Sequence, residues 1–142
     1  MKFCGTLSLR ERIFQVREAK LAKDGELWSL EIETKDEEFD GETWSPYLYH
    51  QGLKLGNIAA NQLAGMVSSW HACTDAAYPH PELGILYVFG HEPVYECTLC
   101  FGQIEEGRID VKWTGLCDVF WDDTFKDKIV FALECQAELN QT

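Results

Sequence analysis

The feature that most constrains the fold is the alternation of apolar and polar residues between Val94 and Leu139. Three alternating segments follow one another there, separated by short polar breaks. Because successive side chains of a strand point to opposite faces, each segment predicts a β-strand with one buried face. The residues predicted to share that face are Tyr95, Cys97, Leu99 and Phe101, then Ile109, Val111, Trp113, Gly115, Cys117, Val119 and Trp121, then Ile129, Phe131, Leu133, Cys135, Ala137 and Leu139. We therefore expect an antiparallel meander that is wetted on one side.

The turn between the first two segments predicts their register. Gly107 tolerates a positive φ angle, so Glu105-Glu106-Gly107 is expected to form a three-residue hairpin loop. A two-residue loop would instead place Phe101 opposite Lys112, a residue of the polar face. The three-residue loop predicts these opposed pairs: Phe101 with Val111, Leu99 with Trp113, and Tyr95 with Cys117.

An earlier hairpin is predicted over residues 12 to 35. Its turn is expected at Asp24-Gly25, because this dipeptide suits a type I′ turn. The corresponding register opposes Leu21 to Trp28 and Ala19 to Leu30, and it places Glu18 opposite Glu31 as a like-charge pair.

A change of period marks residues 57 to 73. Apolar residues recur there at helical spacing, with Asn57 placed as an N-cap and Gly65 as an unfavourable mid-helix residue. The residues of the predicted apolar stripe are Ile58, Leu63, Met66, Val67 and Trp70. This pattern predicts one main helix, followed by a covered apolar strand over Gly84–Gly90.

These elements together predict an α+β fold in a single domain spanning residues 1 to 142. The expected architecture is a curved antiparallel sheet, mostly of meander connections, with the helix over about residues 57–73 packed on it. The N-terminal segment is expected to add an edge strand.

Charge restricts the partners. The chain has 24 acidic and 12 basic side chains, a formal net charge of -12 at pH 7. Binding to nucleic acid relies on clustered Lys and Arg, so no nucleic-acid partner is expected. A basic protein partner would be attracted by the same field, although net charge also serves solubility.

No run of residues reaches transmembrane length, and Met1–Gly5 leads into a strand-like segment without the apolar core of a signal peptide. We therefore expect a cytoplasmic protein with no membrane partner and with reduced cysteines. The sequence indicates no oligomeric state.

Two acidic segments are the candidate partner-binding sites. The first has five carboxylates in seven residues, and the second follows the middle meander strand. The candidate residues are Asp36, Glu37, Glu38, Asp40, Glu42 and Trp44 in the first segment, and Asp118, Asp122 and Asp123 in the second. The first partly imitates a calcium loop, but Tyr47 stands where a bidentate glutamate would close the coordination, which favours a solvated loop.

No catalytic residue, metal site or cofactor is predicted. Cys97 and Cys100 have the spacing of zinc and dithiol sites, but an offset of three sends them to opposite faces of a strand. Four histidines and six cysteines allow many Cys–His pairs, yet most of the cysteines fall in phase with the core, where a thiol is inert.

Two functional hypotheses remain. The first is a non-enzymatic binding module for a basic protein partner, physically analogous to inhibitors or immunity-type proteins for cationic toxins. The second is a small enzyme or ligand-binding domain with a pocket between helix and sheet. An apolar pocket holding a perturbed His or Cys would favour the second, and an acidic face would favour the first.

Overall fold

The computed structural model describes residues 4–39, 41–56, 58–70, 84–88, 91–121 and 124–140. Strands account for 77% of the structure and helical turns for 3%. A 3₁₀ turn at Ala60–Gln62 lies between the sixth and seventh strands. The strands are β1 (Gly5–Leu9), β2 (Arg12–Asp24), β3 (Leu27–Thr34), β4 (Glu37–Phe39), β5 (Glu42–Trp44), β6 (Tyr47–Leu53), β7 (Val67–Trp70), β8 (Gly84–Tyr87), β9 (His91–Pro93), β10 (Tyr95–Glu105), β11 (Arg108–Trp121) and β12 (Thr124–Asn140).

Ten of these strands form one sheet in the order β7-β10-β11-β12-β1-β2-β3-β6-β8-β9, while β4 and β5 pair separately. Neighbouring strands are antiparallel, apart from a short parallel pairing of β12 with β2 beyond the start of β1. The sheet curls into a half-barrel, so β9 at one end lies against β11 near the other. Its concave face holds the core, whose largest fully buried side chains include Trp28, Trp113, Phe14 and Phe131.

The predicted meander is present as β10, β11 and β12. Leu99 pairs with Trp113 and Phe101 with Val111, as the sequence predicted. The alternation predicted the buried face correctly along most of its length, because each inward position meets apolar neighbours across the concave side. Tyr95 is an exception, since it is half-buried and pairs with Leu116 rather than with Cys117.

The predicted register of β10 and β11 is present, but the loop that joins these strands is shorter than predicted. Glu105 pairs with Arg108, so the loop contains two residues, Glu106 and Gly107, with φ angles of 52° and 76°. An extra residue in β10 between Phe101 and Ile104 then restores the expected pairing. A β-bulge therefore compensates for the shorter loop.

The hairpin of β2 and β3 forms with its register shifted by two residues. Asp24 pairs with Leu27, so the loop is Gly25-Glu26 with Gly25 at φ 65°. A glycine at the first loop position suits a type II′ turn. Leu21 therefore faces Leu30 and Ala19 faces Ile32. A two-residue shift keeps every side chain on its predicted face.

The predicted α+β class, with a main helix over residues 57–73, is wrong. Within the described residues, no helix reaches seven residues. Gly65 has φ 85°, which ends helical geometry, and its N–H donates to the carbonyl of Phe101 at 2.8 Å. The Phe101 N–H donates in turn to the carbonyl of Met66 at 2.9 Å. The backbone of this segment thus bonds to β10, and Val67–Trp70 continues as β7. Residues 57 and 71–73 of the predicted helix lie outside the described residues.

The N-terminal strand is internal, not at an edge as predicted. Gly5 pairs with Cys135 of β12 on one side and with Val16 of β2 on the other. A Cβ atom at Gly5 would overlap the backbone of Glu134 and Cys135, so this close approach requires glycine.

The described part of the chain contains no helix with the length and hydropathy to cross a membrane.

Candidate functional site

The first acidic segment forms a β-hairpin rather than an irregular loop. We call residues Asp36 to Ser45, which contain β4 and β5, the acidic hairpin. Asp36, Glu38 and Glu42 are exposed and Glu37 is half-buried, while Asp40 lies outside the described residues. The Ser45 hydroxyl donates a hydrogen bond to Asp36 Oδ1, which joins the two ends of the hairpin.

Trp44 anchors the acidic hairpin and is not part of its surface. It is 2% exposed, stacks on Phe14 at 6.2 Å between centroids and meets the edge of Phe39 at 6.1 Å. The Arg12 guanidinium lies 4.1 Å from the Phe39 centroid and 4.9 Å from that of Trp44. The sequence predicted Trp44 as a partner-binding residue, but its indole is buried against the core and is not exposed to a partner.

In the second acidic segment, Asp118 has a structural role. Its Oδ1 accepts hydrogen bonds from the Tyr95 hydroxyl at 2.7 Å and from the Lys128 backbone N–H at 3.2 Å. Burial, followed by the hydrogen bond to Asp118, raises the pKa of Tyr95 to about 12. The other two predicted residues, Asp122 and Asp123, lie outside the described part of the chain.

The three buried cysteines among the described residues lack the environment of a nucleophile. Burial raises the pKa values of Cys97 and Cys117 to about 12, and it raises that of Cys135 as well. Cys97 is buried and Cys100 is half-buried, on opposite faces of β10 as predicted. Among the described residues, no group of three or more His, Cys, Asp or Glu side chains is placed to hold a metal ion.

His50 is a core residue of the half-barrel. It is fully buried, its Nδ1 accepts a hydrogen bond from the Gly52 N–H at 3.1 Å, and its ring meets Trp70 at 5.5 Å. An accepting Nδ1 indicates the neutral tautomer that carries its proton on Nε2. A Cβ at Gly84 would meet His50 and Trp113 at 3.2 Å, which shows how tightly the surrounding core is packed.

A groove lined by tyrosines lies on the convex face of the sheet. Tyr47, Tyr49 and Gln51 of β6 and Tyr87 of β8 line a shallow, open depression of about 330 Å³, and we call this site the tyrosine groove. Tyr47 and Tyr49 meet edge to face at 5.0 Å between centroids. Tyr47 and Tyr87 are directly opposed across the β6–β8 pairing, and Tyr87 is 40% exposed.

Alternation within β6 produces this surface. Leu48 and His50 are buried on the concave side, which turns Tyr47, Tyr49 and Gln51 outward. The alternation of β6 in the sequence could have indicated that these tyrosines face outward. Their partner Tyr87 could not be found in this way, because it lies in β8, which is distant along the chain. The strand containing Tyr87 was predicted to be covered on both faces, and its convex face carries this groove instead.

Two carboxylates border the tyrosine groove. Across the β3–β6 pairing, Glu31 is opposite Tyr49 and Glu33 is opposite Tyr47. The pKa of Tyr47 is raised first by burial and then by the negative charges of Glu31 and Glu33. The tyrosine groove thus lies in a negative local field.

The acidic hairpin continues from the same two strands. The Glu33–Tyr47 pair is the last of the β3–β6 ladder, and the hairpin connects the ends of these strands. The Thr34 hydroxyl donates to the Pro46 carbonyl at 2.7 Å and closes the base of the connection. The acidic hairpin therefore begins and ends beside the last pair of the tyrosine groove, at the same end of β3 and β6.

Comparisons of the chain with protein-family models, curated proteins and solved structures give no match.

Proposed function

We propose that this protein is a non-enzymatic binding module of the inhibitor or immunity type, which recognises a basic protein partner in the cytoplasm. The observation that carries this proposal is the continuity of the acidic hairpin with the tyrosine groove along β3 and β6. Protein interfaces favour aromatic side chains at their centre and charged side chains at their rim. The tyrosine groove supplies the aromatic side chains, and Glu31, Glu33 and the acidic hairpin supply the charged ones.

The net charge of -12 supports the same reading. A negative field raises the encounter rate with a positively charged protein, and exposed rim charges act mainly on association. Asp36, Glu38 and Glu42 are exposed on the acidic hairpin, where their charges remain directed to solvent.

The alternative is an enzyme or ligand-binding domain with its pocket between helix and sheet, but the described residues contain no main helix that would form one wall of such a pocket. His50, Cys97 and Cys117 are packed in the core. Cys4 and Cys135 line an open depression of about 340 Å³, whose lining also includes the charged side chains of Asp110, Lys112 and Glu134.

The proposal is tested by capture from a lysate of the source organism at low and at high salt. The bait proteins are wild type, a hairpin variant with Glu37→Gln, Glu38→Gln and Glu42→Gln, and a control variant with Asp110→Asn, Glu134→Gln and Glu138→Gln. The control changes the same number of carboxylates, all exposed, on β11 and β12.

We expect wild type and control to capture the same basic protein at low salt, and both the hairpin variant and high salt to reduce its capture. Melting temperatures of the three proteins should be similar, because crowded exposed carboxylates add little stability. Identical capture by all three proteins, or no salt-sensitive basic protein, would contradict the proposal.

A further inference from the structure

We propose, as an extension that rests on the proposed function, that the tyrosine groove binds an arginine side chain from an extended segment of the basic partner. Glu31 is the carboxylate that meets the guanidinium. The inference specifies which chemical group occupies the groove and which residue contacts it.

The aromatic lining of the groove suits a guanidinium. Its volume of about 330 Å³ is bounded by the rings of Tyr47, Tyr49 and Tyr87. The face of an aromatic ring carries partial negative charge and attracts a cation placed over it. The edge-to-face contact of Tyr47 with Tyr49, at an interplanar angle of 74°, presents two differently oriented rings to one ligand.

The hydrogen bonds of the bordering carboxylates favour Glu31 as the acceptor. Glu33 is paired with Arg17 at 3.1 Å. Lys20, directly opposite Glu31, forms its ion pair with Glu18 at 3.0 Å. Glu31 accepts hydrogen bonds from two neutral donors: Gln51 Nε2 at 3.4 Å, a distance that marks a weak bond, and the Tyr47 hydroxyl. Its carboxylate thus retains capacity for a stronger, charge-assisted bond.

The same protein shows how a guanidinium fits against its aromatic rings. Arg12 lies over Phe39 at 4.1 Å and over Trp44 at 4.9 Å. Arginine suits such a site better than lysine, because its planar group stacks on rings, forms paired hydrogen bonds and is less strongly hydrated. An arginine from a partner would make the equivalent contact in the tyrosine groove.

A pair of synthetic peptides tests this assignment. One is a capped peptide in which arginines alternate with serines, and the other is identical except that citrulline replaces each arginine. Citrulline keeps the shape and planarity of the side chain but removes its positive charge. Binding is followed by amide chemical shifts of ¹⁵N-labelled protein and by calorimetry.

We expect the arginine peptide to shift the amide signals of Tyr47, Tyr49 and Tyr87, and the citrulline peptide to bind on the order of tenfold more weakly. Glu31→Gln and Tyr49→Ala should each weaken arginine-peptide binding several-fold. Glu134→Gln, an exposed carboxylate of β12, should leave it unchanged. Glu31→Gln preserves side-chain shape, so it remains informative if Tyr49→Ala proves unstable.

Equal binding of both peptides, or shifts confined to other parts of the surface, would overturn the assignment. Shifts at the groove with a maltohexaose probe but not with the arginine peptide would identify a carbohydrate site instead, which also overturns it. Failure of this inference differs from failure of the proposed function. If the Tyr49→Ala and Glu31→Gln variants still capture the basic protein in a salt-sensitive manner, the arginine site is wrong and the proposed function stands. If the wild-type protein captures no such basic protein, the proposed function itself is contradicted.

Discussion

Trp113 joins the two ends of the curled sheet. It is fully buried on β11 and meets Trp70 of β7 and Phe131 of β12, each at 6.1 Å between ring centroids. A Cβ added at Gly84 of β8 would lie 3.2 Å from its ring. One side chain therefore packs against strands that are far apart in the sheet order.

Trp113→Ala is expected to lower the free energy of unfolding by about 3–5 kcal/mol, because it removes a large buried ring and leaves a cavity. Urea denaturation measures this loss. Lys112→Ala is the matched control on the convex face, where its side chain is exposed, and should change stability by less than about 0.5 kcal/mol. A similar small effect for Trp113→Ala would contradict the core described above.

Cys97 predicts a pH dependence of stability. Burial raises the pKa of its folded thiol from the ordinary 9.0 to about 12. The unfolded thiol therefore ionises first as the pH rises, which favours the unfolded state. This contribution to stability is intact below pH 9 and is lost between pH 9 and about 12. At pH 10 the loss should be about 1 kcal/mol for this thiol.

Urea denaturation at pH 8 and pH 10 under reducing conditions checks this prediction. Cys97→Ala should lose less stability than wild type between the two pH values, whatever its stability at pH 8. Equal losses for the two proteins would show that the Cys97 thiol does not ionise in this way.

At the scale of elements, bulges aligned across the meander help to curve the sheet. Glu96 in β10 and Lys128 in β12 have positive φ angles of 49° and 55°. Each lies where its strand has one residue more than the facing stretch of β11. Such irregularities bend strands and increase their twist. The hydrogen bonds from Tyr95 and Lys128 to Asp118 hold these positions together.

Asp118→Ala should destabilise the protein by about 1–3 kcal/mol, because it leaves the Tyr95 hydroxyl and the Lys128 N–H with one fewer acceptor. Chemical denaturation measures the change. Asp110→Ala, which removes an exposed carboxylate from the same strand, is the matched control and should cost less than about 0.5 kcal/mol. Equal effects of the two substitutions would contradict the structural role of Asp118.

The sequence was sufficient to predict β10, β11 and β12 because their signal is local. Long alternation specifies which face is buried, and neighbouring strands connected by short loops have few alternative pairings. The bulges were not predicted, because the alternation of a sequence does not mark which residue is the extra one. The bulge between Tyr95 and Thr98 shifts the pairing by one residue, so Tyr95 was assigned to the wrong partner.

The helix was mispredicted because its apolar spacing is compatible with more than one structure. Residues 60–70 place apolar side chains at intervals that suit a helix, but the backbone of Gly65 and Met66 bonds to Phe101 of β10. Pairing with a distant strand overrides local propensity. Only Gly65 indicated the break in advance.

At the scale of the whole molecule, the order of strands creates the tyrosine groove. Strands β6 and β8 are neighbours in the sheet, although the 3₁₀ turn and β7 lie between them along the chain. Tyr47 and Tyr87 meet only through this non-local pairing. Charge could be read from the sequence, whereas the aromatic site beside it depends on topology.

The acidic hairpin is anchored by its aromatic residues and leaves carboxylates exposed. Trp44 and Phe39 fix the hairpin on the core through Phe14, while Glu38 and Glu42 remain exposed. Under the proposed function, these charges would attract a basic partner. The tyrosine groove lies on the convex side of β6, and the concave side of the same strand packs into the core.

The association rate constant of the captured basic partner, measured at increasing ionic strength, tests this account most directly. For wild type it should fall steeply with salt, and for Glu37→Gln/Glu38→Gln/Glu42→Gln it should be lower at low salt and less dependent on salt, with a smaller change in dissociation rate. An association rate that is independent of salt, or equal for the two proteins at every ionic strength, would contradict recognition through this acidic surface.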